Sequence, residues 1–246
     1  MRHFKFFNVK NTYSGDIDHR FSNGSSINLK HNNVNNKAAC FWCTYEFDNP
    51  PVYIPKFLSC LYHEKIDGVI GGQELRDMFH SNQINSIYEM LKACDAIVPK
   101  LKGKKTVYIG SWMGFKTRIL CEMYGLKITE LEIDKRCGNV SKIWNEENRY
   151  YVGHIYEDAN KMSTNFYSLN DLVINPSCEH MSDEWFNKIP KGTHLILQSN
   201  DFDIPEHTNI VKNIKEMKDK YEMTDIYSCT LQCSVYRRFT LAGIKT

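Results

Sequence analysis

Thr106-Val107-Tyr108-Ile109-Gly110-Ser111-Trp112-Met113-Gly114 reads as a short apolar strand that ends in a turn bracketed by two glycines. Phe115 to Tyr124, which follows, has helical periodicity and stops at Gly125, a residue suited to the left-handed conformation that closes a helix. Strand, glycine turn and helix together begin an α/β unit. Glycines let a ligand approach the backbone, and the helix N-terminus offers N–H groups and a positive dipole end. Taken alone, G-x-x-x-G serves packing as readily as binding, so its surroundings matter.

Downstream the alternation repeats. Lys127 to Ile133 is a second strand, Val140 to Glu147 a helix and Tyr150 to Ile155 a third strand. Asp171 to Ile174 is a fourth and His194 to Leu197 a fifth, with a helix over Val211 to Lys220. Thr224 to Gln232 and Val235 to Ile244 form two closely joined strands, an antiparallel finish. Upstream, Gln73 to Phe79 and Ile84 to Val98 carry apolar residues three and four apart (Ile84, Ile87, Met90, Leu91, Cys94), the pattern of amphipathic helices. The expectation is an α/β fold with a mostly parallel sheet covered on both faces. Ligands of such sheets sit beyond the carboxyl ends of the strands.

That rule directs attention to four strand ends. The first carries Gly110, Ser111 and Gly114. The second runs Glu130-Leu131-Glu132-Ile133-Asp134. Glu132 lies about twenty residues past the glycine turn, where a carboxylate would hold a ribose hydroxyl pair. Glu130 and Asp134 read more simply as exposed charges. The third is followed by Glu157-Asp158-Ala159, an acidic-small group able to accept from an exocyclic amine. The fourth runs into Asn175-Pro176-Ser177-Cys178-Glu179-His180, unusually polar after an apolar strand. Imidazoles ordinarily titrate near 6.5, which makes histidine the residue type for a base close to neutrality, and His180 supplies one here. Glu179 could orient it or bind a cationic acceptor, and His207, after the fifth strand, would line the same rim.

Length and charge narrow the class. A chain of 246 residues suits one large α/β domain with an appendage. Its net charge of +2 provides no footprint for nucleic acid and favours a small-molecule or protein acceptor. Mean hydropathy is −0.48, and no run approaches the roughly 20 apolar residues that span a bilayer. Met1 to Phe7 lacks the apolar core and cleavage site of a signal peptide, so a cytoplasmic protein without membrane partners is expected. Residues 1–9 read as a short strand, and Ser22 to Lys37, rich in Asn, Ser and Gly, as a connector. The chain divides into an N-terminal extension over residues 1–70 and the α/β domain over 71–246.

The nine cysteines are an odd number and cannot all pair within the chain. Cys94, Cys121 and Cys229 lie among apolar neighbours and read as small core hydrophobes. Cys40-Phe41-Trp42-Cys43 and Cys60-Leu61-Tyr62-His63 differ, forming C-x2-C-x16-C-x2-H. Two such knuckles fit a tetrahedral zinc site made by Cys40, Cys43, Cys60 and His63. The alternatives are a redox pair, disfavoured because no βαβ pattern surrounds it, and a chance cluster.

From residue 83 to 246 this order of features resembles the class I S-adenosylmethionine-dependent methyltransferases: glycine turn, acids after the second and third strands, polar loop after the fourth, terminal antiparallel pair. Within that superfamily, Asn175-Pro176-Ser177-Cys178-Glu179-His180-Met181, Leu197-Gln198-Ser199-Asn200 and Tyr236-Arg237-Arg238-Phe239 are similar to a methyltransferase-like family encoded largely by bacteriophages. The cytoplasm would then be that of the host. The resemblance implies a Rossmann-like sheet that binds S-adenosylmethionine. It implies that Gly110, Ser111 and Gly114 pass the methionine portion, Glu132 takes the ribose hydroxyls, Asp158 lies near the adenine and Asn175 beside the sulfonium. Catalysis would fall to His180 and Glu179, since methyl transfer needs mainly an aligned nucleophile and a base. Cys40 to Pro55 likewise resembles the MYM-type zinc modules of large DNA viruses. Tyr108 stands where methyltransferases usually carry an acid and Trp112 where they carry a glycine. Asn175-Pro176 resembles the start of the N-P-P-aromatic motif of base-modifying enzymes, and Ser177 and Cys178 break it. The first expectation is a methyltransferase acting on an unidentified acceptor. The alternatives are an inactive methyltransferase-fold binding protein, or an enzyme using S-adenosylmethionine for non-methyl chemistry.

Overall fold

Seven strands form one sheet in the order β5-β4-β3-β6-β7-β9-β8. They are β3 (Lys105–Ile109), β4 (Lys127–Leu131), β5 (Tyr151–Ile155), β6 (Leu172–Asn175), β7 (His194–Asn200), β8 (Tyr227–Gln232) and β9 (Arg237–Ile244). Neighbours from β5 through β7 are parallel, while β9 runs antiparallel to both β7 and β8. The expected terminal antiparallel pair is present, with its second strand inserted between β7 and β8. These coordinates come from a computed structural model that describes residues 17–20, 26–29, 81–101, 104–145, 150–233 and 235–246.

The chain separates into two compact units, Met1–Ile84 and Asn85–Thr246. In the first, β1 (Ile17–Arg20) and β2 (Ser26–Leu29) form an antiparallel ladder. The stretch read as a connector therefore contains a strand. Its polar bulk conceals the two-residue alternation of Ser26-Ile27-Asn28-Leu29, the period of a half-buried strand. The zinc module of Cys40, Cys43, Cys60 and His63, the strand expected over residues 1–9 and the helix expected over 73–79 lie outside the described residues.

Helices α1 (Ser81–Ile97), α2 (Phe115–Tyr124), α3 (Lys135–Asn145), α4 (Thr164–Ser168), α5 (Glu184–Asn187) and α6 (Ile214–Lys220) accompany the sheet. Central β3 shows why it folds as it does. Thr106 to Ile109 are all buried, as a strand covered on both faces requires. Val107 and Ile109 join a core cluster containing Tyr167, Trp185, Tyr221 and Phe239. Tyr108 alternates to the other face, fully buried, with its hydroxyl 3.8 Å from Met90 Sδ on α1. Edge strand β5 has no fully buried residue, and Val152 is 63% exposed.

Several boundaries move. The second strand ends at Leu131, leaving Ile133 70% exposed beyond it. Helix α3 begins at Lys135 rather than Val140, since its first turn is polar and hides the start of the pattern. Strand β7 continues through Gln198, Ser199 and Asn200, all buried despite their polarity. Short helices α4 and α5 escaped the periodicity reading because neither completes two turns. Gly125 closes α2 at φ 62° with its N–H on Cys121 O, as expected. Among the described residues, no helix is long and apolar enough to cross a membrane.

From β3 the chain steps outward through β4 to β5, then returns to place β6 on the other side of β3. Strand order reverses at this point, where adjacent crossovers diverge and open a crevice above the carboxyl ends.

Candidate functional site

The turn after β3 borders this crevice. Gly110, Trp112 and Gly114 all have positive φ, at 64°, 51° and 71°. Trp112 thus keeps the left-handed backbone usually given to glycine, at a cost of about 1–2 kcal/mol. A compensating bond is present: its N–H donates to Glu132 Oε2 at 2.8 Å, while Asp134 N–H donates to Oε1 at 2.9 Å. Glu132, 9% exposed, so ties the turn after β3 to the end of β4. Gly114 has a packing duty as well. A Cβ there would fall 1.8 Å from Ser141 Oγ, so only glycine admits α3 at this distance. At Gly110 the nearest side-chain atom to such a Cβ would be Ser177 Cβ, at 3.5 Å, which places the β3 turn beside the β6 loop. Ser111 is buried in this turn.

Asp158 is half-buried, and its Oδ1 accepts from Asn160 N–H at 2.8 Å, capping a single helical turn, Ala159–Lys161. Asn175 is fully buried. Its Oδ1 accepts from Ser177 N–H at 2.9 Å and its amide lies 3.3 Å from Met181 Sδ, so it shapes the loop it begins. Cys178 points into the core, where burial raises its thiol pKa well above the ordinary range. Although it belongs to the polar stretch after the fourth strand, its side chain is part of the core cluster. Cys94 and Cys121 are buried as expected, whereas Cys229 is only partly so.

Beneath the carboxyl ends of β6 and β7 lies a continuous buried polar network. Gln198 Nε2 donates to Thr240 Oγ1 (3.0 Å) and to the Ser86 carbonyl (2.9 Å), and its Oε1 accepts from Ser86 Oγ (2.9 Å). Arg238 donates to Ser86 Oγ (3.2 Å), the Pro176 carbonyl (3.3 Å) and Glu179 Oε1 (3.3 Å). Asn200 Nδ2 donates to the same Glu179 oxygen at 2.5 Å. Glu179 is 1% exposed and Arg238 5%. Lys116, in the first turn of α2, lies in the field of the Glu179–Arg238 pair. Burial, and then the Arg238 guanidinium, push its ammonium down to about 7.

Asn200 and Arg238 hold Glu179 Oε1, and the Glu179 carboxylate lies within 4.8 Å of the His180 imidazole. His180 is exposed, and its Nδ1 lies 3.3 Å from the Glu206 carbonyl. His207, half-buried, has Nδ1 2.7 Å from the Phe202 carbonyl. The two imidazoles meet edge to face at 4.5 Å, so His207 does line the rim with His180. Phe202 and Tyr236 stack beside them at 5.2 Å. Asn209 ties this loop to the previous one, donating to the Met181 carbonyl and to Asp183 Oδ1, each at 2.8 Å.

Two expectations about charge change. Asp134 is partly exposed and paired with Arg136 at 2.7 Å, which lowers its carboxyl pKa. Glu130 is instead completely buried, its Oε2 accepting from Ser141 Oγ (2.5 Å) and His154 Nδ1 (2.8 Å). An acid inside a strand faces whatever covers that face, and here α3 covers it.

Residue reasoning alone left Arg238, Asn200 and Gln198 without a role. Their signal was visible: polar side chains at positions where the flanking residues read as buried strand.

Comparison of folds agrees with this architecture. The chain aligns with the PH0226 protein from Pyrococcus horikoshii over 68% of its length and 93% of that chain (16% identity, TM-score 0.51). Several of its structural neighbours are methyltransferases solved with S-adenosylmethionine or S-adenosylhomocysteine. One is 1,6-didemethyltoxoflavin-N1-methyltransferase from Burkholderia thailandensis, solved with S-adenosylhomocysteine (10% identity, 72% and 91% covered, TM-score 0.50). Another is geranyl diphosphate C-methyltransferase from Streptomyces coelicolor (6% identity, 74% and 84% covered, TM-score 0.52). At these identities the likeness is one of fold. No family model and no curated protein sequence matches the chain.

Proposed function

We propose that the protein is an S-adenosylmethionine-dependent methyltransferase that binds its cofactor across the β3–β6 switch point. The observation that carries this is Glu132: its carboxylate holds the Trp112 N–H, so glycine turn and acid form one preassembled unit at the carboxyl ends of adjacent strands. In this reading the turn from Gly110 through Ser111 to Gly114 passes the methionine portion, Glu132 takes the ribose hydroxyls, Asp158 faces the adenine and Asn175 lies by the sulfonium. His180 and His207 form the acceptor end. Both departures from the methyltransferase pattern are absorbed locally. Tyr108 packs against Met90 away from the crevice, and Trp112 keeps the glycine conformation.

The acceptor is a small molecule or a protein side chain, in keeping with a net charge of +2. The zinc module of Cys40, Cys43, Cys60 and His63 would serve acceptor or partner binding, and a phage origin would place the protein in the host cytoplasm. Calorimetric titration with S-adenosylmethionine tests the cofactor reading. Stoichiometric binding is expected. Glu132→Ala should weaken it about 10- to 100-fold, the loss of charge-assisted hydrogen bonds to the ribose. No binding to the wild-type chain would sink the enzyme reading and leave an inactive binding protein standing.

A further inference from the structure

Three donors converge where the β6 and β7 loops meet: a carboxylate oxygen of Glu179 and one ring nitrogen each from His180 and His207, all within 4.8 Å of one another. We propose that these residues bind a single divalent first-row transition-metal ion of the zinc, iron or cobalt type.

The first support is the carboxylate. Glu179 Oε1 is taken by Asn200 and Arg238, but Oε2 is buried and has no hydrogen-bond partner among the described residues. Leaving a buried carboxylate oxygen unsatisfied is costly, and a bound ion is one of the few things that accounts for it. The second support is the state of the imidazoles. Carbonyl oxygens only accept, so Nδ1 of His180 and of His207 carries the hydrogen bonded to Glu206 O and Phe202 O. Each neutral ring then keeps its lone pair on Nε2. A backbone carbonyl on the far nitrogen is the usual outer partner of a metal-binding histidine. Arg238 and Asn200 play the corresponding part for the carboxylate, fixing one oxygen and offsetting its charge.

Ligand chemistry sets the class of ion. Two imidazoles with one carboxylate suit borderline transition metals, whereas Mg²⁺ and Ca²⁺ take oxygen sets. Bonds of about 2.0–2.2 Å require the donors to close to roughly 3–3.5 Å, about an ångström of side-chain movement. Such movement is available to exposed His180 and half-buried His207. Three protein ligands leave positions open toward the crevice. Resting on the methyl-transfer reading, an acceptor oxygen or nitrogen would bind there and have its pKa lowered, with His180 acting as ligand rather than as base.

The test is a Co²⁺ titration of the full chain without S-adenosylmethionine, followed by visible absorption. Expected in a Cys40→Ser/Cys43→Ser variant, which removes two thiolates of the cysteine module, are weak ligand-field bands that saturate at one ion without thiolate charge-transfer bands; the wild-type chain shows the same bands beside any thiolate bands of that module. His180→Ala and His207→Ala each remove a rim side chain, and thermal unfolding checks that both variants fold. Each should weaken binding by about 100-fold or more, at least what loss of an outer partner costs. Absence of these bands, or binding that survives both substitutions, overturns the site, and displacement by excess Mg²⁺ overturns the class of ion. The cofactor titration is separate, so failure of one reading is distinguishable from failure of the other.

Discussion

Glu130 and Glu179 are equally hidden, at 0% and 1% exposed, and differ in their partners. Glu130, between the sheet and α3, accepts from Ser141, His154 and Tyr151, all neutral or able to become so. Glu179, under the crevice, is held by Arg238, a permanent cation. The first arrangement joins sheet and helix through groups that carry no fixed charge. The second sets a buried carboxylate against a fixed cation, a costly arrangement that stability alone does not require. Burial alone therefore does not distinguish a structural acid from a functional one. The fixity of its charge does.

The sharpest way to break this contrast is to remove the cation. Arg238→Met should destabilise the fold by about 3–5 kcal/mol in denaturant titration, because it strands a buried carboxylate. Adding Glu179→Gln should return a large part of that loss. Equal stability of the single and double variants would show that Glu179 was never ionised. At the other acid the corresponding change, His154→Leu, should cost less, about 1–3 kcal/mol, since Glu130 keeps Ser141 and Tyr151 as donors. A larger loss at His154 than at Arg238 would reverse the assignment.

The smallest effect comes from Lys116. Its ammonium, ordinarily at 10.5, is pushed down to about 7 in the folded chain, chiefly by burial. Between these values the unfolded chain binds more protons, so this group makes stability rise with pH from about 7 toward 10. Below 7 both states are protonated and the penalty is fully present. Compared with Lys116→Met, the wild-type melting midpoint should therefore be lower near neutral pH and converge on the variant as pH rises. Parallel curves would show that burial does not depress the Lys116 ammonium. The effect is modest because the side chain retains some access to solvent.

Much of the architecture was legible in order along the chain. β3, α2 and the Gly125 cap were read nearly to the residue, since strong apolar periodicity bounded by glycine leaves few alternatives. Boundaries failed where polar residues were buried, as at Gln198 to Asn200, or where an element was too short to show a period, as in α4 and α5. For the site, the residues on the strand ends were legible one by one. Their mutual bonds were not, and neither was the burial of Glu130.

By itself, the sequence determined the local grammar: strand followed by glycine turn, an acid one unit later, a polar loop after Asn175. These depend on backbone conformation and on residues a few positions apart. Only the tertiary structure decided that Glu179 meets Asn200, 21 positions away, and Arg238, 59 away. That meeting follows from β6, β7 and β9 being successive neighbours in the sheet. Strand order is set by how whole faces pack and by the hand of the crossovers, and no local pattern encodes it.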